Sequence, residues 1–443
     1  MRFSFRDLTR AALWLGLYVL LALYPLLWLA AVPAPTGGTF RAELASALGF
    51  LALSTLAMQF VLTARFQWLA PPFGTDLVYA FHRHVTGACL ALAVLHPLVL
   101  FSDDLRGLGR WLVPWEAPGP YAAGVVSLYA LAVLALTSWG RRRLRLPYEA
   151  WRRLHGLAAA AAVLLGLWHA ARAERLLASP VTRWLWIAWT LAWVGLLARV
   201  RIAKPLSLAA RPWVVREARP EGGRVVTLAL EPVGHEGFRF RAGQFAWVTL
   251  GGTPFAAREH PFSFSNSAHE PPRVEVSVKA VGDFTRSALA TRAGARAFVD
   301  GPYGTMGVDG FPDADGYVFV AGGIGVAPCL SMLRTLADRG DRRPCLLVYG
   351  TADWEATPFR DALEGLAGRL ELRVVHVLER PPAAWHGESG VVTEALLARH
   401  VPRAGRHGYF VCGPPAMMDA VERALLRLGV PHGQLHSERF DLV

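Results

Sequence analysis

The hydrophobic pattern divides the chain near residue 205. Before that point, apolar residues run almost unbroken in six stretches, roughly 11–32, 44–64, 80–101, 121–139, 154–171 and 184–200. A helix needs about 20 apolar residues to cross the hydrocarbon core of a bilayer, and these runs have that length. They also lack the polar stripe that marks a helix on the surface of a water-soluble bundle. Pro25 predicts a kink in the first run. After Lys204-Pro205 the texture changes. Residues 225–230, 244–250 and 273–279 read as short strands broken by Gly and Pro, which predicts a small antiparallel barrel. Residues 317–321, 345–350, 372–377 and 408–412 are continuous apolar runs separated by helical stretches, the pattern of a doubly wound parallel sheet. The expected organisation is a multidomain membrane protein: a six-helix transmembrane bundle over 1–204, an antiparallel β-barrel over 205–308 and an α/β domain over 309–443.

Charge orients the membrane half. Fourteen Lys and Arg fall at the N-terminus and in the loops on its side: Arg2, Arg6, Arg10, Arg65, Arg83, the six arginines between 141 and 153, Arg199, Arg201 and Lys204. Six fall on the other side: Arg41, Arg106, Arg110, Arg172, Arg175 and Arg183. The excess of positive charge on cytoplasmic loops puts both termini inside the cell membrane, the bilayer being the first partner of the chain. The first run is too long for a signal-peptide core and predicts a retained span. The net charge is +12, yet the arginines cluster beside apolar spans, which argues against nucleic acid. Four cysteines without C-x-x-C spacing exclude a zinc site or a disulfide framework.

Two histidine pairs share one spacing. His82 and His96 are 14 residues apart, as are His155 and His169. On a helix, 14 residues turn through about 1400°, about 40° short of four turns, and rise about 21 Å. Each pair therefore occupies one helix face, with one histidine near each membrane surface. The third and fifth spans run in the same direction by the charge count, so His82 can face His155 and His96 can face His169. One histidine in an apolar helix is commonly interhelical glue, but two equally spaced pairs point to two metal centres, each an iron held by two imidazoles. His84 has no partner 14 residues on and reads as a loop or helix-entry residue. Arg83, Arg152 and Arg153 flank the inner pair and Arg172 the outer, where guanidinium suits carboxylate.

The second half carries an ordered set of turns. His260-Pro261-Phe262-Ser263, with Ser265 beyond it, is followed by Lys279, then Gly282, Phe284 and Thr285, then Gly301 and Tyr303. Together they resemble the flavin barrel of the ferredoxin reductase family. That resemblance implies an aromatic (Phe262) against FAD, a hydroxyl (Ser263) near its reactive nitrogen, and main-chain N–H groups with Thr285 at the pyrophosphate. Gly322-Gly323-Ile324-Gly325, ahead of Pro328, is a glycine turn between strand and helix suited to a nucleotide pyrophosphate. Cys412-Gly413-Pro414 resembles the family's nicotinamide motif, which implies that Cys412 positions hydride transfer. Phe440 resembles the aromatic of the family's C-terminal tail that covers the flavin. Asp353, just past Gly350, stands where relatives that select NADPH often carry arginine, so NADH is favoured over NADPH.

The four histidines joined to these motifs resemble the NADPH oxidase and ferric reductase family, as a minimal prokaryotic-type member without a calcium loop. The resemblance implies two haem b, FAD and NAD(P)H. Electrons would pass from cytoplasmic NAD(P)H to an external acceptor, with oxygen giving superoxide first and a ferric chelate as the alternative. An external protein acceptor stays open, although no obligate protein partner is implied. A nucleotide-gated transporter would leave the histidine spacing unexplained.

Overall fold

The computed structural model describes residues 5–31, 39–66, 74–141, 143–172, 179–256, 258–402 and 405–439. It divides into two compact units, one holding Thr9–Phe66 and Leu77–Pro205 and the other Leu206–Val443.

The first unit is helical: α1 (Phe5–Ala31), α2 (Phe40–Thr63), α3 (Thr75–Leu100), α4 (Leu105–Trp111), α5 (Gly119–Gly140), α6 (Tyr148–Arg172) and α7 (Pro180–Ala198). Among the described residues six candidate spans are long and apolar enough to cross a membrane, and they coincide with the six hydrophobic runs. Their outward faces carry bare leucines, among them Leu13, Leu136, Leu157 and Leu191, which suit lipid rather than water. Ser54 donates to the Leu21 carbonyl and Ser127 to the Ala162 carbonyl, so small polar residues tie helix to helix where no water can. The short α4, capped by Asp104, was not foreseen. Beyond α7 a π turn, Arg199–Ala203, leads into α8 (Lys204–Ala209), so helix continues past the expected linker at Lys204-Pro205. His84 sits inside α3, exposed, with Nδ1 against the Ala80 carbonyl, and is not a loop residue.

The second unit starts with β1 (Trp213–Pro220), β2 (Val225–Pro232), β3 (Phe245–Leu250), β4 (His260–Ser263), β5 (Val274–Lys279), the short α9 (Asp283–Ala288) and β6 (Arg296–Tyr303). The strands form an antiparallel sheet in the order β4-β3-β6-β1-β2-β5. A bridge between Phe264 and Val276 draws its two edges together, so the sheet curls into a half-barrel. Trp213, Leu228, Leu230 and Phe264 fill its centre.

Next come β7 (Gly316–Gly322), α10 (Val326–Asp338), β8 (Cys345–Thr351), α11 (Arg360–Ala367), β9 (Leu372–Leu378), β10 (Glu388–Ser389), α12 (Glu394–His400), β11 (His407–Cys412), α13 (Pro415–Arg427) and β12 (Leu435–Ser437). All neighbours pair in parallel, in the order β10-β9-β8-β7-β11-β12. One apolar cluster lies on each face of the sheet, as burial on both faces requires. The chain leaves β7 toward β8 on one side and returns to β11 on the other. The crevice for a ligand in such a sheet opens at that reversal, outside the C-terminal ends of β7 and β11.

Candidate functional site

The membrane half brings both histidine pairs together. The ring centres of His82 and His155 are 6.4 Å apart, and those of His96 and His169 are 6.2 Å apart. Two metal–imidazole bonds of about 2 Å each, plus the reach from nitrogen to ring centre, span such a gap. In all four rings Nδ1 is bonded to a neighbouring helix. His82 Nδ1 meets Gln59 Oε1 at 2.8 Å and His155 Nδ1 meets Ser138 Oγ at 3.3 Å. His96 Nδ1 meets the Ala45 carbonyl at 2.7 Å and His169 Nδ1 the Pro120 carbonyl at 3.1 Å. Metal-binding imidazoles are held in this way, one nitrogen donating to a carbonyl or side chain and the other left for the ion. Among the described residues no three His, Cys, Asp or Glu converge, so a metal here would bring its remaining ligands with it, as a porphyrin does.

Glycines make room for the outer rings. A β-carbon at Gly49 would lie 2.9 Å from His96, and one at Gly124 would lie 3.0 Å from His169. Each glycine sits four residues after the carbonyl its histidine uses, Ala45 and Pro120. Bare backbone there uncovers an oxygen that already serves its own helix. A cavity opens beside this pair, lined by Gly49, Gly124, Leu53, Leu131, Trp111 and Tyr121 among others. Apolar walls, glycine clearance and a facing imidazole pair fit a flat, largely apolar macrocycle.

The flanking cations are arranged differently from expectation. Arg83 and Arg153 are exposed, and Arg172 lies over the Trp168 ring at 4.6 Å. Arg152 is half-buried against the Tyr148 ring. The residue beside the inner pair that sequence reasoning missed is Arg201: its guanidinium packs 2.8 Å from where a β-carbon on Gly156 would stand, next to His155.

In the barrel, Pro261 and Phe262 lie half-buried on edge strand β4, with Ser263 buried behind them. Phe284 stacks on His260, centres 4.1 Å apart, and lies parallel to Phe262 at 6.2 Å. These half-exposed aromatic faces suit a flat conjugated ring. Space in front of Gly282 is open. The Thr285 hydroxyl accepts from the N–H groups of Val281 and Gly282, so it orders the turn expected at the pyrophosphate. Ser265 differs from expectation: it is fully buried and accepts from Ser277, which meets Thr227, so its hydroxyl belongs to the barrel interior. Gly301 packs on Ala246, and Tyr303 donates to Asp300 at 2.6 Å.

At the sheet reversal two glycine turns meet. A β-carbon at Gly325 would stand 2.4 Å from the Cys412 carbonyl, and one at Gly413 would stand 3.0 Å from the Gly322 nitrogen. Gly322 lies against Met417 and Pro414, while Pro328 is buried in the first turn of α10. Gly323 takes φ +54, and its carbonyl accepts from Tyr349 at 3.1 Å. Ile324 remains half-buried at the tip. Lys279 reaches the turn, its Nζ 3.5 Å from a β-carbon at Gly323, which gives the end of β5 a cation facing the crevice. Cys412 is 3% exposed, and burial first, then nearby Cys329 and Glu438, pushes its thiol well above the ordinary range. It is held as a neutral thiol, which suits positioning rather than nucleophilic attack. Gly350 packs on Val392, and Asp353 accepts from the Ala356 N–H and pairs with Arg380 at 3.2 Å. Phe440 lies outside the described residues; the buried Glu438 carboxylate, two residues before it, stands 2.9 Å from a β-carbon at Gly304.

Comparisons with known proteins follow the same division. Residues 48–166 match the family of ferric reductase like transmembrane components, and residues 319–423 match the oxidoreductase NAD-binding domain. Ferredoxin–NADP reductase B of Sorangium cellulosum is 31% identical over 245 residues, 53% of this chain and 100% of that protein. The reductase component of propane 2-monooxygenase from Rhodococcus jostii is 30% identical over 240 residues, 51% of this chain and 62% of that protein. The chain thus spans about three-fifths of the length of that relative and of the phenol hydroxylase P5 protein of Acinetobacter pittii, covered to 58%. A solved structure of an Amycolatopsis cytochrome P450 reductase is similar at 26% identity and TM-score 0.47, covering 52% of this chain and 69% of that one.

Proposed function

The chain belongs to the ferredoxin–NADP reductase family in its second half and carries a ferric reductase-like transmembrane component in its first, and we propose that it is a transmembrane electron carrier with two bis-histidine haems b. It is a multi-pass membrane oxidoreductase of the kind that binds FAD and NAD(P)H. The observation that carries the proposal is the double pairing of histidines, with every Nδ1 anchored and every Nε2 left for a metal.

When bound, NAD(P)H supplies a hydride, FAD converts two-electron into one-electron transfer, and haem iron carries single electrons across the bilayer. The chain's residues do the holding. His82 and His155 would hold one haem on the cytoplasmic side and His96 and His169 the other on the outer side, with Arg201 and Arg152 near the inner site for carboxylates. Phe262 and Ser263 would meet the flavin, Gly282 and Thr285 its pyrophosphate, the 322–325 turn the nicotinamide dinucleotide, and Cys412 the nicotinamide ring. Phe440 would close over the flavin. The 1–204, 205–308 and 309–443 segments would be the haem, FAD and nicotinamide parts, with both termini cytoplasmic at the cell membrane.

Oxygen is the proposed acceptor, giving superoxide. The outer cavity is walled mainly by apolar side chains, and the acids Asp103, Asp104 and Glu116, which could attract a cation, are already engaged. Asp103 pairs with Arg41, Glu116 lies 3.7 Å from Arg110, and Asp104 caps α4. A small neutral molecule suits such walls better than a charged complex. The test is an optical spectrum of purified protein with FAD, reduced by NADH under nitrogen and then opened to air. Haem bands that reduce, and reoxidise with a dismutase-sensitive signal, support the reading. Reoxidation only by ferric chelate or an added protein replaces the acceptor, and absence of haem ends the proposal.

A further inference from the structure

The two histidine pairs are anchored by different chemistry. In the outer pair both Nδ1 atoms meet main-chain carbonyls, Ala45 and Pro120. In the inner pair both meet side chains, Gln59 and Ser138. The same helices supply both levels: Gln59 is 14 residues beyond Ala45 on α2, the spacing of the histidines themselves, and Ser138 is 18 residues, about five turns, beyond Pro120 on α5.

Gln59 is 5% exposed, and its orientation is fixed by its other bonds. Its Nε2 donates to the Thr55 carbonyl at 2.9 Å and reaches Tyr18 Oη at 3.5 Å. A carbonyl can only accept, so the atom facing Thr55 is the NH₂ group and the atom facing His82 is the oxygen. An amide oxygen can only accept as well. His82 Nδ1 therefore carries the proton, and its Nε2 presents a lone pair toward His155. Ser138 at 3.3 Å is a longer contact through a group that both donates and accepts, and it constrains His155 less.

We propose that Gln59, with Ser138 in a lesser part, is the positioning residue that sets the tautomer, the iron affinity and the reduction potential of the inner site, while the histidines of the outer site are anchored by main chain. The inference rests on the haem reading above. A stronger acceptor on the remote nitrogen makes an imidazole a better donor to the metal and favours the oxidised ion; a weaker acceptor does the reverse. The anchors of the inner couple can thus be changed by side-chain substitution, and those of the outer couple cannot.

The experiment is a spectroelectrochemical titration of the full-length, haem-loaded protein, resolving two couples, alongside haem content. In Gln59→Glu a carboxylate accepts more strongly than an amide, so one couple should move to lower potential and the other stay. In Gln59→Leu the same couple should move upward, with haem affinity at that site falling about 10–100-fold. Ser138→Ala should shift that couple upward by less. Two couples unmoved in both Gln59 variants at full haem content would overturn the inference, as would equal movement of both couples, which marks general loosening. A wild-type protein that holds no haem would overturn the haem reading itself.

Discussion

The two halves of this molecule build their sites from opposite materials. In the membrane half, four side chains on two helices, α3 and α6, define the centres, and the backbone serves only to anchor two of them through the Ala45 and Pro120 carbonyls. In the nucleotide half, the site at the sheet reversal is mostly backbone: Gly322, Gly325 and Gly413 are there because main chain approaches main chain too closely for any β-carbon. A bilayer forces the first solution, since lipid satisfies no exposed N–H or C=O and leaves side chains as the free chemistry. A parallel sheet permits the second, since its strand ends offer turns and helix N-termini to a phosphate. One half should therefore fail through loss of a ligand, the other through loss of fit.

The largest effect should come from the ligands. His169→Ala should remove one haem and cut external reduction by more than the about 10–100-fold that loss of an outer-shell partner costs, while flavin binding stays intact. Stopped-flow reduction of an external acceptor, read beside flavin fluorescence, checks both, and full external activity would abolish the proposed path. Next comes Gly325→Val. Its side chain would meet the Cys412 carbonyl, so the turn must open, at about 1–3 kcal/mol. Titration with nicotinamide nucleotide should show weaker binding while the haem spectrum is untouched; unchanged affinity would deny that close approach is why glycine stands there. The smallest effect belongs to Asp353→Arg. It removes a carboxylate, leaves Arg380 without that partner, and should move the NADPH to NADH preference by about tenfold, near 1.4 kcal/mol. Identical ratios of kcat/KM would discard Asp353 as the discriminating residue.

Legibility in the sequence tracked the same contrast. The histidine pairs stood out because helix periodicity turns a spacing of 14 into a shared face, and the six spans because apolar length is local information. Three strands of the half-barrel and four of the parallel sheet were visible in the sequence, whereas β1, β6, β10 and β12 were not, and His260–Ser263 reads as a turn although it forms edge strand β4. What stayed hidden depends on contacts between distant segments. Gly49 and Gly124 look like ordinary helix glycines until the rings of His96 and His169 arrive from other helices. Ser265 reads as part of a flavin motif, yet the curl of the sheet turns its hydroxyl toward Ser277. Arg201 reads as a topological charge until Gly156 admits it beside His155. Gln59 did carry a signal, as a lone amide in an apolar span. The fate of α8, continuing helix through Lys204-Pro205, could not be seen because proline is tolerated in the first turn of a helix.

The main-chain anchors of the outer histidines have a consequence in heredity. A codon change at position 45 or 120 alters a side chain and leaves the carbonyl in place, so the bond to His96 or His169 is passed on unaltered. At position 59 or 138 a single codon change rewrites the anchor. Over many generations the two centres of one protein are thus exposed to drift at unequal rates. Descendant lineages can rewrite the anchors of the His82–His155 pair by single changes, while at the His96–His169 pair such change must act through the glycine clearances at 49 and 124.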